Sequence, residues 1–535
     1  RVLFRSVTDT MGGKCILCFV LATLGVSVQI QASPPYSYPK PDSEDWQSIG
    51  HGELMEALEL QLNNKLAKNV VLFIGDGMGI STLTAARINQ GQMKGSSGEE
   101  GKLTFEKFPH MGLSKTYNTN SQVGDSAGTA TAILTGEKVN IYTIGVNSGV
   151  ETYNCFKAAD SILTNIADLA QRANIATGFV TNSRITHATP ASLYAHTPNR
   201  FWESKVDPHC PHYEDIGLQF IKDKTAKNFK VAFAGGRAPM GAPRNITIVK
   251  DSIRRKDSRN LTKEWIEDRR KRNIRAMYLE TKSQLLNTDF THIDHILGLF
   301  SDDHMAYTSD GIPEDEPTLT EMVEVAVRHL SKNGQRFFLF VEGAKIDLAL
   351  HLNLAGKALR EVSSFDDAVK RILHLVNTDE TLIVVTADHS HSLTINGYPK
   401  RGHSILGHGD LDNSSVPYST LMFATGPGYN GKFEVTEGRI VRKNMSEDEV
   451  MKPDFEKLAP VIGPWGDATH GGEDVAIYAK GPKAHLFHSL HEQNYIFHAM
   501  AYAMCIHPTM ACAAASSLVP LTGIITIGLI KTLLC

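Results

Sequence analysis

Val70-Val-Leu-Phe-Ile74 runs without a break into Gly75-Asp-Gly-Met-Gly79, and the switch from five apolar residues to a glycine-flanked aspartate decides how the rest of the chain is read. Two later stretches have the same form. Phe337-Phe-Leu-Phe-Val341 runs into Glu342-Gly343, and Leu382-Ile-Val-Val385 runs into Thr386-Ala-Asp-His389. Short runs rich in aromatic and branched residues, with no polar alternation, read as strands buried on both faces. The sheet they form is then parallel and covered by helices. Helical stretches between them, such as Leu319 to Leu330 and Ala355 to Val376, fit an α/β alternation. In such sheets ligands bind beyond the carboxyl ends of the strands. Asp76, Glu342, Asp388 and His389 are expected at that rim.

Around these strands, 535 residues at 42% hydrophobic and 21% charged describe a folded globular protein and exclude a disordered or fibrous one. A net charge of −4 gives no general reason to expect nucleic acid as a partner. The one strongly basic stretch, Arg254 to Arg275 with Arg269-Arg-Lys-Arg272 at its centre, is interleaved with acids. It is expected to be a solvated helical face in a peripheral insertion.

Both ends of the chain read as addresses. Residues 1–10 precede the first methionine and are taken as a non-native leader. Met11-Gly-Gly-Lys14, the apolar run from Cys15 to Val28 and the small-residue stretch Gln31-Ala-Ser33 read as a signal peptide over residues 11–32. The run is short of the roughly 20 residues that a membrane span needs. The catalytic domain is expected over residues 33–512. Small residues from Ala511 to Ser517 then lead into a mostly apolar tail, Leu518 to Cys535, which resembles a GPI-attachment signal over residues 513–535. Its polar spacer is nearly absent and Lys531 interrupts it, so a C-terminal transmembrane helix is the alternative. Removing these segments leaves Cys155, Cys210, Cys505 and Cys512. In an oxidising compartment these suggest two disulfides, the simplest pairing by proximity being Cys505 with Cys512 and Cys155 with Cys210; buried free thiols are the other possibility. Sequons at Asn245, Asn260, Asn413 and Asn444 fit a glycosylated protein on the outer face of the cell membrane.

Acids and imidazoles converge on the predicted rim. Asp347 and His351 lie four apart in a segment that can form a helix, so both point from one face, as a pair of metal ligands must. Asp388-His389 supplies a second pair, and Thr469-His-Gly-Gly472 adds an imidazole where glycines let backbone come close to a ligand. Mixed histidine and carboxylate ligation suits zinc better than calcium or iron–sulfur chemistry. The nucleophile candidate is Ser126 in Asp125-Ser-Ala-Gly-Thr-Ala130, a run that reads as a helix start, where free N–H groups stabilise phosphate or a developing oxyanion. An ordinary helix cap at Asp125 or Ser126 is the bland reading of the same residues. No G-x-S-x-G elbow lies nearby to suggest an esterase triad.

Taken in order and spacing, these blocks resemble the animal-type alkaline phosphatases over nearly the whole mature chain. The shared stretches are Phe73 to Gly79, Leu113 to Asn118, Asp125-Ser126 with Thr129 to Ala132, Thr186 to Ala191, Tyr194 to Thr197, Asn199-Arg200, Phe337 to Gly343, Thr386 to His391 and Thr469 to Val475. The resemblance implies a three-layer sandwich around a large, mostly parallel central sheet, with a smaller crown-like peripheral insertion. It also implies a homodimer holding two zinc ions and one magnesium ion per subunit. By the same resemblance Asp347, His351 and His470 take one zinc, and Asp76, Asp388, His389 and the Ser126 oxygen take the other. Asp76 is shared with magnesium, whose remaining ligands are Thr189 and Glu342. The cysteine pairing given above also matches the family's disulfides. The chemistry implied is hydrolysis of phosphate monoesters at alkaline pH. Ser126 attacks in line to form a phosphoserine intermediate, Arg200 holds two phosphate oxygens beside Asp125, and His187 occupies a nearby position that differs between bacterial and animal members.

The chain departs from the family at Leu348, where a histidine or lysine that contacts phosphate through water is usual. It departs again at the calcium site of vertebrate forms. Phe300 is kept, but Ser301 and Glu316 replace the usual glutamate and aspartate, and Gly241 to Lys250 lacks the expected acid. Calcium is therefore not expected. A related two-metal phosphodiesterase or sulfatase-like hydrolase is disfavoured by Glu342 with Thr189. A cell-surface binding protein on an inactive phosphatase fold is disfavoured because Ser126 and every zinc ligand are present.

Overall fold

Every residue of Asn69–Gly75 is buried, and the strand it forms lies in the interior of a ten-stranded sheet. The computed structural model describes residues 46–155, 161–245 and 249–510. The leader, signal segment, tail and Cys512 lie outside the described residues. The sheet contains β1 (Asn69–Gly75), β2 (His110–Lys115), β3 (Ala176–Arg184), β4 (Val231–Gly235), β5 (Ala276–Leu279), β6 (His295–Leu299), β7 (Phe337–Gly343), β8 (Thr381–Thr386), β9 (Val475–Lys480) and β10 (Ser489–Glu492). Their order is β10-β2-β9-β8-β1-β7-β3-β4-β6-β5. Only β9 runs antiparallel to its neighbours, β2 and β8; the other pairings are parallel.

The helices that matter for the site and its support are α1 (Trp46–Leu58), α2 (Ile80–Met93), α3 (Ser126–Thr135), α4 (Leu261–Lys271), α5 (Leu319–Leu330), α6 (Lys345–His351), α7 (Ala355–Leu375) and α8 (Tyr495–Met504). Because side chains alternate across a strand, β1 feeds two separate cores. Val71 and Phe73 pack with Met322 and Ala326 of α5 and with Leu359 and Phe365 of α7. Val70, Leu72 and Ile74 pack on the other face with Ile133 of α3 and with Phe497 and Met500 of α8. Two helical layers thus enclose one sheet, the three-layer sandwich that the apolar runs and the family resemblance imply.

Between β8 and β9 the chain leaves the sheet and forms small antiparallel ladders, pairing Leu393–Ile395 with Leu421–Phe423, His408–Leu411 with Pro417–Ser419, and Phe433–Thr436 with Arg439–Arg442. This is the smaller peripheral region. The basic stretch Arg254 to Arg275 does not belong to it; its helix presents the expected solvated face, with Lys263, Arg270 and Lys271 exposed, but the other face is buried. α4 packs against the main body through Leu261, Trp265 and Arg269, one helical face spaced four apart. The Arg269 guanidinium lies 4.5 Å over the Trp265 ring. The buried Arg255 side chain pairs with Asp215 and Asp257. Cys155 and Cys210 form the expected disulfide. Cys505 is also disulfide-bonded.

Candidate active site

Strand register brings the rim together. Ile74 of β1 is level with Glu342 of β7 and Thr386 of β8, and Thr181 of β3 is level with Glu342. Asp76 therefore leaves β1 at the height where Asp388 and His389 leave β8, and all four side chains at this level, Asp76, Glu342, Asp388 and His389, are fully buried. The glycines permit the approach. Gly77 has φ +65°, and a Cβ there would lie 2.9 Å from Asp347 Oδ1; a Cβ on Gly79 would lie 1.8 Å from Ser390 Oγ.

Among the described residues, three groups of side chains have ligand atoms within 4.8 Å of one another: Asp347, His351, His391 and His470; Asp76, Asp388 and His389; and Asp76, His187 and Glu342. In the first, Asp347 Oδ2 lies 3.3 Å from His351 Nε2, and Asp347 Oδ1 lies 3.6 Å from His470 Nε2. α6 supplies the Asp347–His351 pair at the i, i+4 spacing read from the sequence. His351 Nδ1 is 2.7 Å from the Ala468 carbonyl and His470 Nδ1 is 2.9 Å from that of Gly124. A carbonyl can only accept, so each ring carries a proton on Nδ1 and turns its Nε2 toward the cluster. The two Nε2 atoms lie 3.1 Å apart, and against the cost of burial the Asp347 carboxylate raises His351 above the ordinary imidazole value. In the second group, His389 Nδ1 is likewise directed at the Ser390 carbonyl, 3.0 Å away, turning its Nε2 lone pair toward Asp76 and Asp388, both at 3.4 Å.

This donor set fits cations. Asp76 Oδ2, Asp347 Oδ1, Glu342 Oε1, Thr189 Oγ1 and His391 Nε2 are buried without a hydrogen-bond partner, a costly arrangement unless an ion occupies the space between them. Burial, reinforced by the Asp347, Asp388 and Glu342 carboxylates, pushes the Asp76 carboxyl well above its usual range. Burial drives His470 well below the ordinary imidazole value, which keeps it neutral and ready to ligate. All three groups mix imidazole with carboxylate. In the third, His187 Nε2 is directed at Arg200, which leaves the oxygens of Asp76 and Glu342 with the unpartnered Thr189 hydroxyl; Glu342 Oε2 is held by Ser183 Oγ at 3.1 Å and by the Thr181 hydroxyl.

Ser126 opens α3 among these groups, its Oγ 3.1 Å from His389 Nε2 and 3.5 Å from Asp76 Oδ1. The helix cap is Asp125. Its carboxylate accepts from the backbone of Ala127 and Gly128, each at 3.2 Å, so those two N–H groups are engaged and are not the free phosphate donors expected of a bare helix start. The same carboxylate receives Arg200 Nη1 at 2.9 Å, while Arg200 Nη2 lies 3.3 Å from His187 Nε2. Burial, with Arg200 and Arg184 nearby, lowers His187 to about 3, so its ring is a neutral acceptor for that guanidinium. Leu348, half-buried in α6 between Asp347 and His351, adds no polar atom.

The structure brings together every residue singled out from the sequence and adds His391, whose Nε2 lies 3.6 Å from Asp347 Oδ1. It lies in the shared stretch Thr386 to His391, but its place in the site follows from the pairing of Ser390–His391 with His470–Gly471.

Comparisons with known proteins agree with this geometry. The alkaline phosphatase family model matches residues 67–506. The tissue-nonspecific isozyme of alkaline phosphatase from Gallus gallus is 41% identical over 508 residues, covering 92% of this chain and 96% of its own. The membrane-bound alkaline phosphatase of Bombyx mori is 39% identical, with 86% of this chain and 84% of its own covered. Among solved structures, the Thermus thermophilus alkaline phosphatase superposes with a TM-score of 0.58 at 22% identity over 85% of this chain and 95% of its own, which shows the same fold. The chain belongs to the alkaline phosphatase family. It is a phosphomonoesterase whose metal-binding clusters lie at the carboxyl edge of the central sheet.

Proposed function

We propose that this chain hydrolyses phosphate monoesters through a phosphoserine on Ser126, with two zinc ions and one magnesium ion held by its buried clusters. The observation that carries the reading is the inward turning of three imidazole Nε2 atoms, on His351, His470 and His389, toward buried carboxylates and the Ser126 hydroxyl. Asp347, His351 and His470 would hold one zinc, with His391 beside them. Asp76, Asp388 and His389 would hold the second together with Ser126 Oγ. Asp76, Thr189 and Glu342, an all-oxygen set, would suit magnesium. When bound, such ions supply Lewis acidity that lowers the pKa of an oxygen donor and offsets phosphate charge.

The chain's own residues then do the following. Arg200, braced by Asp125 and His187, grips two non-bridging phosphate oxygens. Ser126 Oγ releases its proton to solvent and attacks phosphorus in line, and the bond from phosphorus to the ester oxygen breaks on the opposite side, the alcohol leaving with a proton taken from solvent. Water enters from the side the alcohol left, and Ser126 departs as the phosphate is released. The buried position of Ser126 keeps the phosphoserine away from other nucleophiles.

The same proposal covers the cellular setting. Residues 11–32 act as a signal peptide and 513–535 as a GPI signal, placing a glycosylated enzyme on the outer face of the cell membrane. Among the described residues no helix is long and apolar enough to cross a membrane. A homodimer is part of this reading, supported by α1, which has no buried residue and exposes Trp46, Leu54 and Leu58. The test is release of p-nitrophenol from p-nitrophenyl phosphate between pH 7 and 11. Turnover should vanish on chelation, return with zinc and magnesium, and be absent from a Ser126→Ala variant. A zinc-loaded, folded protein without turnover overturns the proposal.

A further inference from the structure

The mouth of the active site carries aromatic groups that phosphate chemistry does not require. One cavity of about 620 Å³ is lined both by Arg200 and His470 and by Tyr142, Tyr153, Phe201 and Trp465. The Tyr142 ring lies 5.9 Å from that of Phe201 and 6.5 Å from that of Trp465. The outer rings face solvent: Trp465 is 83% exposed, Tyr153 57% and Phe201 55%. Large apolar rings held open to water beside a polar centre are a binding surface waiting for an apolar body.

Backbone strain marks the same place. Tyr142, Tyr153 and Trp465 all sit at positive φ, +65°, +63° and +61°. Bulky residues avoid this region, and it persists where the surroundings impose it, often at ligand clamps. For Tyr142 the surroundings are the phosphate-holding pair itself. Tyr142 N–H donates to Asp125 Oδ1 at 2.8 Å, and the Tyr142 carbonyl accepts from Arg200 N–H at 3.0 Å. The rim is thus registered to the group that grips phosphate. Among the described residues, and apart from the phosphate- and metal-holding ones, Asp467 is the one acidic side chain lining the cavity. A carboxylate there repels a second phosphate.

On the phosphomonoesterase reading above, we propose that this rim is a leaving-group subsite selecting aromatic phosphate monoesters that carry a single phosphate. The ring of the departing alcohol lies against Trp465 and Phe201 while Arg200 holds the phosphoryl group. The test compares 2-phenylethyl phosphate with ethyl phosphate. Their leaving alcohols are of nearly equal acidity, so a difference reports the ring and not the bond broken. The metal-loaded native protein should prefer the phenylethyl ester tenfold or more in kcat/KM. In Trp465→Ala and in Phe201→Ala that ratio should fall below threefold. A ratio between two substrates is insensitive to partial misfolding or incomplete metal loading. A native ratio under threefold, or a ratio that survives both substitutions, overturns the subsite. Calorimetric titration with phenylphosphonate and methylphosphonate separates this from the enzymatic reading. If neither ester is hydrolysed, the phosphomonoesterase reading fails, yet a tenfold tighter phenylphosphonate complex that is lost in the variants still upholds the subsite. Equal affinities, or no binding of either phosphonate, refute it.

Discussion

Replacing Arg200 with alanine is expected to lower kcat/KM for p-nitrophenyl phosphate by roughly 10²–10³. A guanidinium has five N–H donors. Arg200 commits one to Asp125 at 2.9 Å and directs another at His187 at 3.3 Å, which leaves three in one plane for a bidentate grip on phosphate. Hydrogen bonds to charged partners contribute about 1.5–3 kcal/mol each. Losing two, with water partly taking their place, amounts to about 3–4 kcal/mol. At about 1.4 kcal/mol per factor of ten, that is the stated range. The fold should survive, because Asp125 keeps its bonds from the backbone of Ala127, Gly128 and Tyr142. Arg200→Lys restores charge without the fork and should recover only about a tenfold part of the loss. Initial rates below KM on metal-saturated protein, with circular dichroism as the folding control, decide the matter. If folded Arg200→Ala stays within threefold of native, or if lysine performs as well as arginine, the bidentate reasoning is wrong.

Two further outcomes can be measured directly. His391→Ala should weaken zinc retention by about 10–100-fold, with activity restored by excess zinc, since a neighbour that orients ligands acts through affinity; chelator competition reads this, and unchanged retention would sink the role. Acid should destabilise the fold below about pH 6.5. Burial lowers His110 to about 4 and His295 to about 3, so both remain neutral when folded while the unfolded chain takes up their protons. Between the unfolded value near 6.5 and those folded values the unfolded state binds more protons, so Tm should fall as pH drops from 7 to 5. A flat Tm over that interval contradicts this.

What could be read before folding was whatever repeats locally. The runs ending at Ile74, Val341 and Val385 disclose doubly buried strands, because burial on both faces removes polar alternation. The i, i+4 pair Asp347–His351 needs only one helix turn to be seen. Arg254 to Arg275 misled because charge is tallied along the chain, whereas Arg269 and Arg255 are buried by partners far away in sequence, Ala226 and Asp215 among them. The aromatic rim was invisible for the same reason. Tyr142, Phe201 and Trp465 come from three loops, and nothing local to any of them signals the others. His391 was visible as a residue but not as a member of the site, since its meeting with Asp347 depends on how Ser390–His391 pairs with His470–Gly471.

The position of β9 governs when the molecule can become competent. β1, made first, finds its two sheet neighbours only in β7 and β8, and His470 arrives just ahead of β9, after the chain has returned from the small ladders. A ribosome adding about 5–20 residues per second therefore exposes Asp76, and Ser126 with it, long before the last imidazole of the cluster exists. On the proposed ligand set, nascent chains shorter than about 470 residues lack one of the imidazoles that would hold the ions. Truncation anywhere upstream of that histidine removes chemistry and not merely stability, and the ions can close the site only once synthesis is nearly finished.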